Sequence, residues 1–456
     1  MSELLLRLDP GRLHSTAGQI REELGASAVE VVARSSRARV VTFEYQRSGQ
    51  LLIDSQGAQE AGHMVRAASD EEWGAWAGTG SPKAPEQAPA MARGQLRFPD
   101  PERIRELQAG DEAGDGSARS RTIERPLLGE SDARRWIDRL VETATATLEN
   151  DGGPKRAFHL RGRLEDGAAE SLLVNSHGVE APGRSRITGV RLELSVGTQT
   201  ASTYLAADDD LQSSSSNALR ELVQELDLQR NAVPIDSDAA ASVLVRPKVL
   251  APILAHLAMS CWRPTSPGAM DAPNESIGME VWERPDLAPG FLGGERDGEG
   301  LFAQRRLIFD HDGLHPLVPW DRMTQGDEHS GFRWRASWRD LPRFGPSHLR
   351  LQTTEASPDP DGATGPDFEA IATQGALAAD DDDLLLDVFG YRLRGGERTQ
   401  PQRATLRLHG TRWPSRLAFC LGERQTQTLA ACTVSCPSAV FDGLQLQGYK
   451  GPTVAG

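Results

Sequence analysis

Strand patterns in this chain come several in a row, with single amphipathic helices between the runs. That order argues against a doubly wound parallel sheet, which needs helix and strand to alternate. Leu13, Ala17, Ile20 and Leu24 recur three and four apart, the spacing of one apolar helix face. They predict a helix over Asp9–Leu24 that Gly25 can end. Ala28–Arg34 and Arg39–Gln46 are rich in β-branched and aromatic residues and predict two strands, with Ser35–Ala38 as the turn between them. His63–Ala68 predicts another strand, leading into an acidic turn at Asp70–Glu72. A helix over Ser131–Asn150 follows, with Ser131 as its N-cap and Trp136, Leu140, Ala144 and Leu148 on one face. Strands are predicted at Ala157–Leu164, Ser171–Val174, Thr188–Val196 and Ala201–Leu205. Asp208–Ser216 reads as a loop, and Asn217 as the cap of a helix through Arg230 with Leu219, Leu222, Val223 and Leu226 inward.

Asn231–Asp238 interrupts the pattern and marks a domain boundary, giving an N-terminal domain over 1–232 and a C-terminal domain over 233–456. The second half opens with a strand at Ser242–Val245 and a short helix carrying Ile253, Leu257 and Cys261 on one face. β patterns then dominate. In Phe332–Arg339, Phe332, Trp334, Ala336 and Trp338 alternate with Arg333, Arg335, Ser337 and Arg339, the period of a half-buried strand. Thr405–His409 and Arg416–Leu421 are shorter versions, while Thr353–Asp367 and Ala378–Asp383 read as loops. The expected fold class is α+β in two domains, the first a largely antiparallel sheet with helices, the second mainly β and barrel-like. Pro-, Gly- and Ser-rich stretches within 78–120 lack the apolar content to pack and are expected to be mobile.

Charge narrows the function. The 456 residues carry 65 acidic against 50 basic side chains, a net charge of −15, which argues against a broad nucleic-acid footprint. Four cysteines, Cys261, Cys420, Cys432 and Cys436, are too few for a disulfide scaffold and suit a reducing cytoplasm. The N-terminus lacks the pattern of a signal peptide, and no uncharged apolar run reaches the ~18 residues of a membrane span.

Catalytic motifs are scarce. The sequence has no HExxH, P-loop, GxSxG or CxxC pair. His311 and His315 have the four-residue spacing of a helical metal site, yet Asp312-Gly313 between them predicts a hairpin, on which the rings need not converge. Cys432 and Cys436 read as buried free thiols. Asp380–Asp383 lacks the alternating ligands of a calcium loop and reads as a solvated acidic loop. Arg333, Arg335 and Arg339 read as the solvent face of a strand that could also grip an anionic group.

Several segments, taken in order, resemble the TldD/PmbA (TldE) family, first described as modulators of DNA gyrase. GASAVEVVARSSRARVVTFE resembles its opening strand pair and HMVRAASDEEWGAWAG its "g.vRv..d..wG.a" segment. Asn175-Ser176-His177-Gly178 resembles its "NS.G" turn. Val243–Pro247 with the helix at Ala251–Ala258 resembles "vvl.P.v...ll.hl", and IGMEVWERPD through LIFDHDGLHPLV resembles the stretch around "I.D.P.l.gg....DgEG". GYRLRGGERTQP and PSAVFDGLQLQG resemble its closing segments.

The resemblance implies a two-subunit zinc metallopeptidase whose active subunit carries HExxxH on the helix after the equivalent of Pro247, plus a C-terminal Cys ligand. Here those positions fall at Ala255, His256 and Ser260. Neither metal-binding His is present, His256 stands in place of the Glu, and a catalytic zinc needs about three protein ligands. Ser330-Gly331 and Ser347-His348-Leu349 also depart from the family's Gly-rich and "tN" segments. The chain therefore resembles the zinc-free PmbA/TldE-type subunit. The resemblance implies a zinc-bearing, HExxxH-containing TldD-type partner in a heterodimer, with no cofactor, metal ligand or catalytic residue in this chain. Its expected role is peptide cleavage in the cytoplasm, such as leader removal or trimming of a modified precursor, with Phe332, Arg333, Trp334 and Arg335 as candidates to line the peptide cleft. Two other readings stay open: a free-standing peptide-binding or scaffold protein of the same fold, and an independent metallohydrolase with a relocated site at His311 and His315.

Overall fold

The helix α1, Pro10–Leu24, starts where Asp9 accepts the Arg12 amide at 3.4 Å and ends at Gly25. The structure is a computed structural model describing residues 9–69, 72–79, 127–150, 157–176, 178–206, 211–235, 238–260, 278–287, 303, 305–310, 312–315, 333–334, 343–353, 365–374, 378–380, 383–409, 413–429 and 432–448. After α1 come β1 (Ala28–Tyr45), β2 (Leu51–Ala68), β3 (Trp73–Thr79), α2 (Glu130–Asn150), β4 (Phe158–Asn175), β5 (Glu180–Val196), β6 (Gln199–Ala206) and α3 (Leu211–Asn231). The six strands form one antiparallel sheet in the order β3-β2-β1-β4-β5-β6.

Period two along β1 decides where the helices sit. Val29, Val31 and Ala33 at one end share a face with Val41 and Phe43 at the other. Leu13, Ala17 and Ile20 of α1 bury the first group. Trp136, Ile137 and Leu140 of α2 and Leu219, Leu222 and Val223 of α3 bury the second. Each such side chain taken fully from water contributes about 1.5–3 kcal/mol. The helix faces read from spacing are therefore the ones that pack.

Several local expectations need correction. Ser35–Ala38 is not a turn: β1 runs unbroken through it, in continuous register with β2 and β4 on its two sides. None of those four residues is a Gly, Asn, Asp or Pro that would favour reversal, and two neighbouring strands satisfy the backbone. The segments at 157–164 and 171–174 likewise merge into β4. Finally, α3 starts at Leu211, so much of the Asp208–Ser216 segment is helical and Asn217 lies inside it. Packing overrides the weak propensity of the serines, as Ser215 is buried and accepts the Trp136 Nε1–H at 3.1 Å. At α2 the shift is small, with Ser131 in the first turn rather than capping it.

The second sheet is built from β7 (Val233–Pro234), β8 (Ala239–Val245), β9 (Met279–Glu283), β10 (Arg306–Asp310), β11 (Gly313–Leu314), β14 (His348–Thr353), β15 (Phe368–Thr373), β16 (Ala378–Asp380), β17 (Asp383–Arg394), β18 (Glu397–His409), β19 (Leu417–Thr428) and β20 (Thr433–Gly448). Its order is β11-β10-β9-β14-β20-β8-β15-β17-β18-β7, with β16 on β17 and β19 on β20. β18 also pairs with β20, so β20, β8, β15, β17 and β18 close into a ring. Closure depends on a bulge in β20 between Phe441 and Leu444. Gly443 there has φ +67°, a left-handed conformation that other residues rarely adopt. Before it β20 pairs with β19, and after it with β18. The ring's inward residues, among them Val243, Val245, Phe368, Leu386 and Leu406, form one core with the helix α4, Pro247–Ser260. This is the α+β architecture expected, with a barrel-like second sheet. Ala378–Asp383, expected as a loop, contains β16 and the start of a hairpin into β17.

Candidate functional site

α4 is the helix onto which the sequence resemblance maps a zinc motif. It opens at Pro247, where the missing N–H costs nothing, and the Arg246 carbonyl accepts the Val249 and Leu250 amides at 2.9 Å. Val249, Leu250, Ala251, Ile253, Leu254, Leu257 and Ala258 are all buried, so most of the circumference faces the core. Ala255 is half-buried and packs against that core, offering a methyl group where a ligand would be needed. His256 beside it is also half-buried. These residue types do not fit a three-ligand zinc site. Among the described residues no three His, Cys, Asp or Glu side chains converge as a metal-binding group.

A buried polar centre lies at the ends of β9, β14 and β20. Glu283, at the end of β9, is fully buried. Its Oε1 accepts the Ser347 amide at 2.8 Å, the Ser347 hydroxyl at 2.5 Å and, more weakly, the His348 amide at 3.4 Å. Its Oε2 is buried without a hydrogen-bond partner. Burial outweighs these hydrogen bonds and pushes the carboxyl up to about 7. His348 is opposite in sense: burial brings its imidazole down to about 4, so the ring is neutral. Its Nδ1 lies 2.7 Å from the Thr433 hydroxyl, which in turn donates to the Ser347 carbonyl at 3.3 Å. That chain of donors makes Nδ1–H the tautomer and leaves Nε2 as a buried acceptor with no partner. The neighbouring Cys432 and Cys436 are buried free thiols, as expected, and burial pushes both up to about 12.

The Ser347 hydroxyl donates to Glu283, while His348 is bound to Thr433 instead. Sequence reasoning did single out Ser347-His348 and the segment holding Glu283. Their union across 64 residues of chain leaves no periodic signal.

The other candidates fall as follows. β10 and β11 form the hairpin expected near His315, with Asp310 opposite Gly313. His315 Nε2 lies 2.8 Å from Asp310 Oδ1, and His311 lies outside the described residues. Asp383 is ion-paired with Arg407 and His409 rather than set in an open oxygen cage. Of the cleft candidates, Arg333–Trp334 form the two-residue strand β12, paired antiparallel with β13, Arg343–Phe344. Phe332 and Arg335 lie outside the described residues, as do Cys261 and 80–126.

No protein-family model and no curated protein matches the sequence. Solved structures do. TldE from Thermococcus kodakarensis superposes with a TM-score of 0.70 at 16% identity, over 95% of this chain and 99% of that one. A proposed modulator of DNA gyrase from Thermotoga maritima gives 0.69 at 14% identity, over 96% and 99%. Another from Bacteroides thetaiotaomicron gives 0.67 at 17% identity, again over 96% and 99%. The likeness spans nearly the whole length of each chain, and the chain has the fold of TldE, the TldD/PmbA fold that its sequence segments resemble.

Proposed function

We propose that this chain is the non-catalytic, TldE-like subunit of a cytoplasmic two-chain zinc metallopeptidase that cleaves peptides. The observation that carries this reading is α4 itself. It stands in a chain with the TldE fold, and it presents Ala255 and His256 where a zinc subunit of the family carries ligand and base. An apolar helix locked into the ring's core supports a scaffolding role better than a catalytic one. The zinc and the water-activating carboxylate would then belong to a partner bearing HExxxH. Phe332, Arg333, Trp334 and Arg335 would line the side of the peptide cleft contributed by this chain.

The test is coexpression with the HExxxH-bearing relative encoded in the same genome. Metal content and cleavage of an unstructured peptide are then measured for each chain and for the mixture. The expected result is no stoichiometric zinc and no cleavage by this chain alone, with chelator-sensitive cleavage by a one-to-one complex. Stoichiometric zinc with cleavage by the isolated chain would overturn the proposal. So would a partner that is fully active and monomeric without it.

A further inference from the structure

The outer face of β9, β14 and β19 concentrates arginines on an otherwise acidic protein. Arg350 of β14 lies directly opposite Trp282 of β9, and Gln352 opposite Glu280. These side chains share one face, while Val281, Leu349 and Leu351 point into the core. Arg305 places its guanidinium carbon 4.2 Å from the centre of the Trp282 ring. Arg424 of β19 donates its Nε–H to the Leu351 carbonyl at 3.1 Å, bringing its head beside Arg350. Arg284 grips Asp286 at two points, 2.8 and 2.7 Å. Asp286 is thus ion-paired already, and Glu280 accepts the Trp282 Nε1–H at 2.7 Å.

Among the described residues Arg350 has no hydrogen-bond or ion-pair partner, and its Nε is buried. Arg424, Arg284 and Arg305 all act on it as like charges, and with burial they lower its proton affinity, while Asp286 opposes them. A buried guanidinium N–H that has given up water and gained nothing is costly, and a bound oxyanion would offset that cost.

We infer that this face binds the carboxylates of an acidic peptide segment, with Arg350 and Arg424 as the contacts and Arg284 and Arg305 supplying the surrounding field. The net charge of −15 does not forbid it, because charges farther than about 8 Å are screened at physiological salt. The same charge opposes a long polyanion such as nucleic acid, which would run beyond the patch. Binding belongs to this chain alone and stands apart from the subunit reading.

The probe is a fluorescein-labelled Gly-Glu-Glu-Glu-Glu-Gly amide, titrated with the full chain and read by anisotropy. The glutamine version of the peptide and a short single-stranded oligonucleotide serve as comparisons. The glutamate peptide should saturate, with affinity that falls as salt is added. Arg350→Gln and Arg424→Gln should each weaken it about tenfold, and Arg134→Gln, on the exposed face of α2, should leave it unchanged. Arg424 is exposed, so its variant keeps the test decisive should the Arg350 variant fold poorly. Equal binding of the glutamine peptide would overturn the inference, as would wild-type affinity in the folded Arg424 variant. Tighter binding of the oligonucleotide would assign the face to nucleic acid instead.

Discussion

Glu283 and His348 are neighbours that titrate in opposite senses, and stability should record both. The Glu283 carboxyl rises from 4.5 to about 7 on folding, because burial disfavours its charge. Between those values the folded state binds more protons than the unfolded one, so this group makes stability fall as pH rises. His348 drops from 6.5 to about 4. Between those values the unfolded state binds more protons, so this group makes stability rise with pH. From about pH 4.5 to 6.5 the two slopes oppose, and above 6.5 only the Glu283 loss remains. Glu283→Gln keeps an acceptor for the Ser347 amide and hydroxyl while removing the titration. Its melting temperature relative to the parent should therefore climb from pH 5 to pH 8, by an amount corresponding to about 1–3 kcal/mol. A difference that stays constant across that range would show that Glu283 does not hold a proton in the fold.

At the scale of elements, close backbone approach sets limits that no propensity scale contains. β15 and β17 pair antiparallel with a register shift between Ala370 and Ala372. There a Cβ on Gly390 would meet the Glu369 carbonyl oxygen at 1.8 Å. Backbone cannot yield as a side chain tip can, so Gly390→Ala should force β17 away from β15 and cost about 1–3 kcal/mol or more. Urea unfolding should show the lowered midpoint, and an unchanged midpoint would mean that the strands are less closely packed. Helices were legible because their signal is local: Leu13, Ala17 and Ile20, or Trp136 and Leu140, report their face by spacing alone. Strand ends were not. Ser35–Ala38 carries polar residues in the middle of β1 because that stretch lies between its two helix-covered ends, and only β2 and β4 reveal that it stays extended. The polar centre was hidden for the same reason. Glu283, Ser347 and Thr433 meet only because β14 runs antiparallel to β9 and parallel to β20.

Across the whole molecule, α3 is the element that ties the two sheets together. Leu219, Leu222 and Leu226 belong to the core of the first sheet, whereas Leu228 packs with Ala372 and Phe389 of the second. Glu225 on the same helix is ion-paired with Lys248 of α4, and the Ala206 amide at the end of β6 donates to the Thr428 hydroxyl at 3.3 Å. The attraction in a partly buried ion pair is largely offset by desolvation, and Leu228 adds apolar adhesion between the sheets. Leu228→Ala removes buried apolar volume from a small cluster of Leu228, Ala372 and Phe389, against which Ala232, Ile371 and Tyr391 also pack. The expected cost is about 2–5 kcal/mol, and it falls on the coupling between the sheets rather than on either core. Calorimetry should then show the unfolding endotherm broaden or split into two, since each sheet retains its own helix-covered interior. A single transition that merely shifts to lower temperature would mean that the sheets unfold as one unit through contacts other than α3.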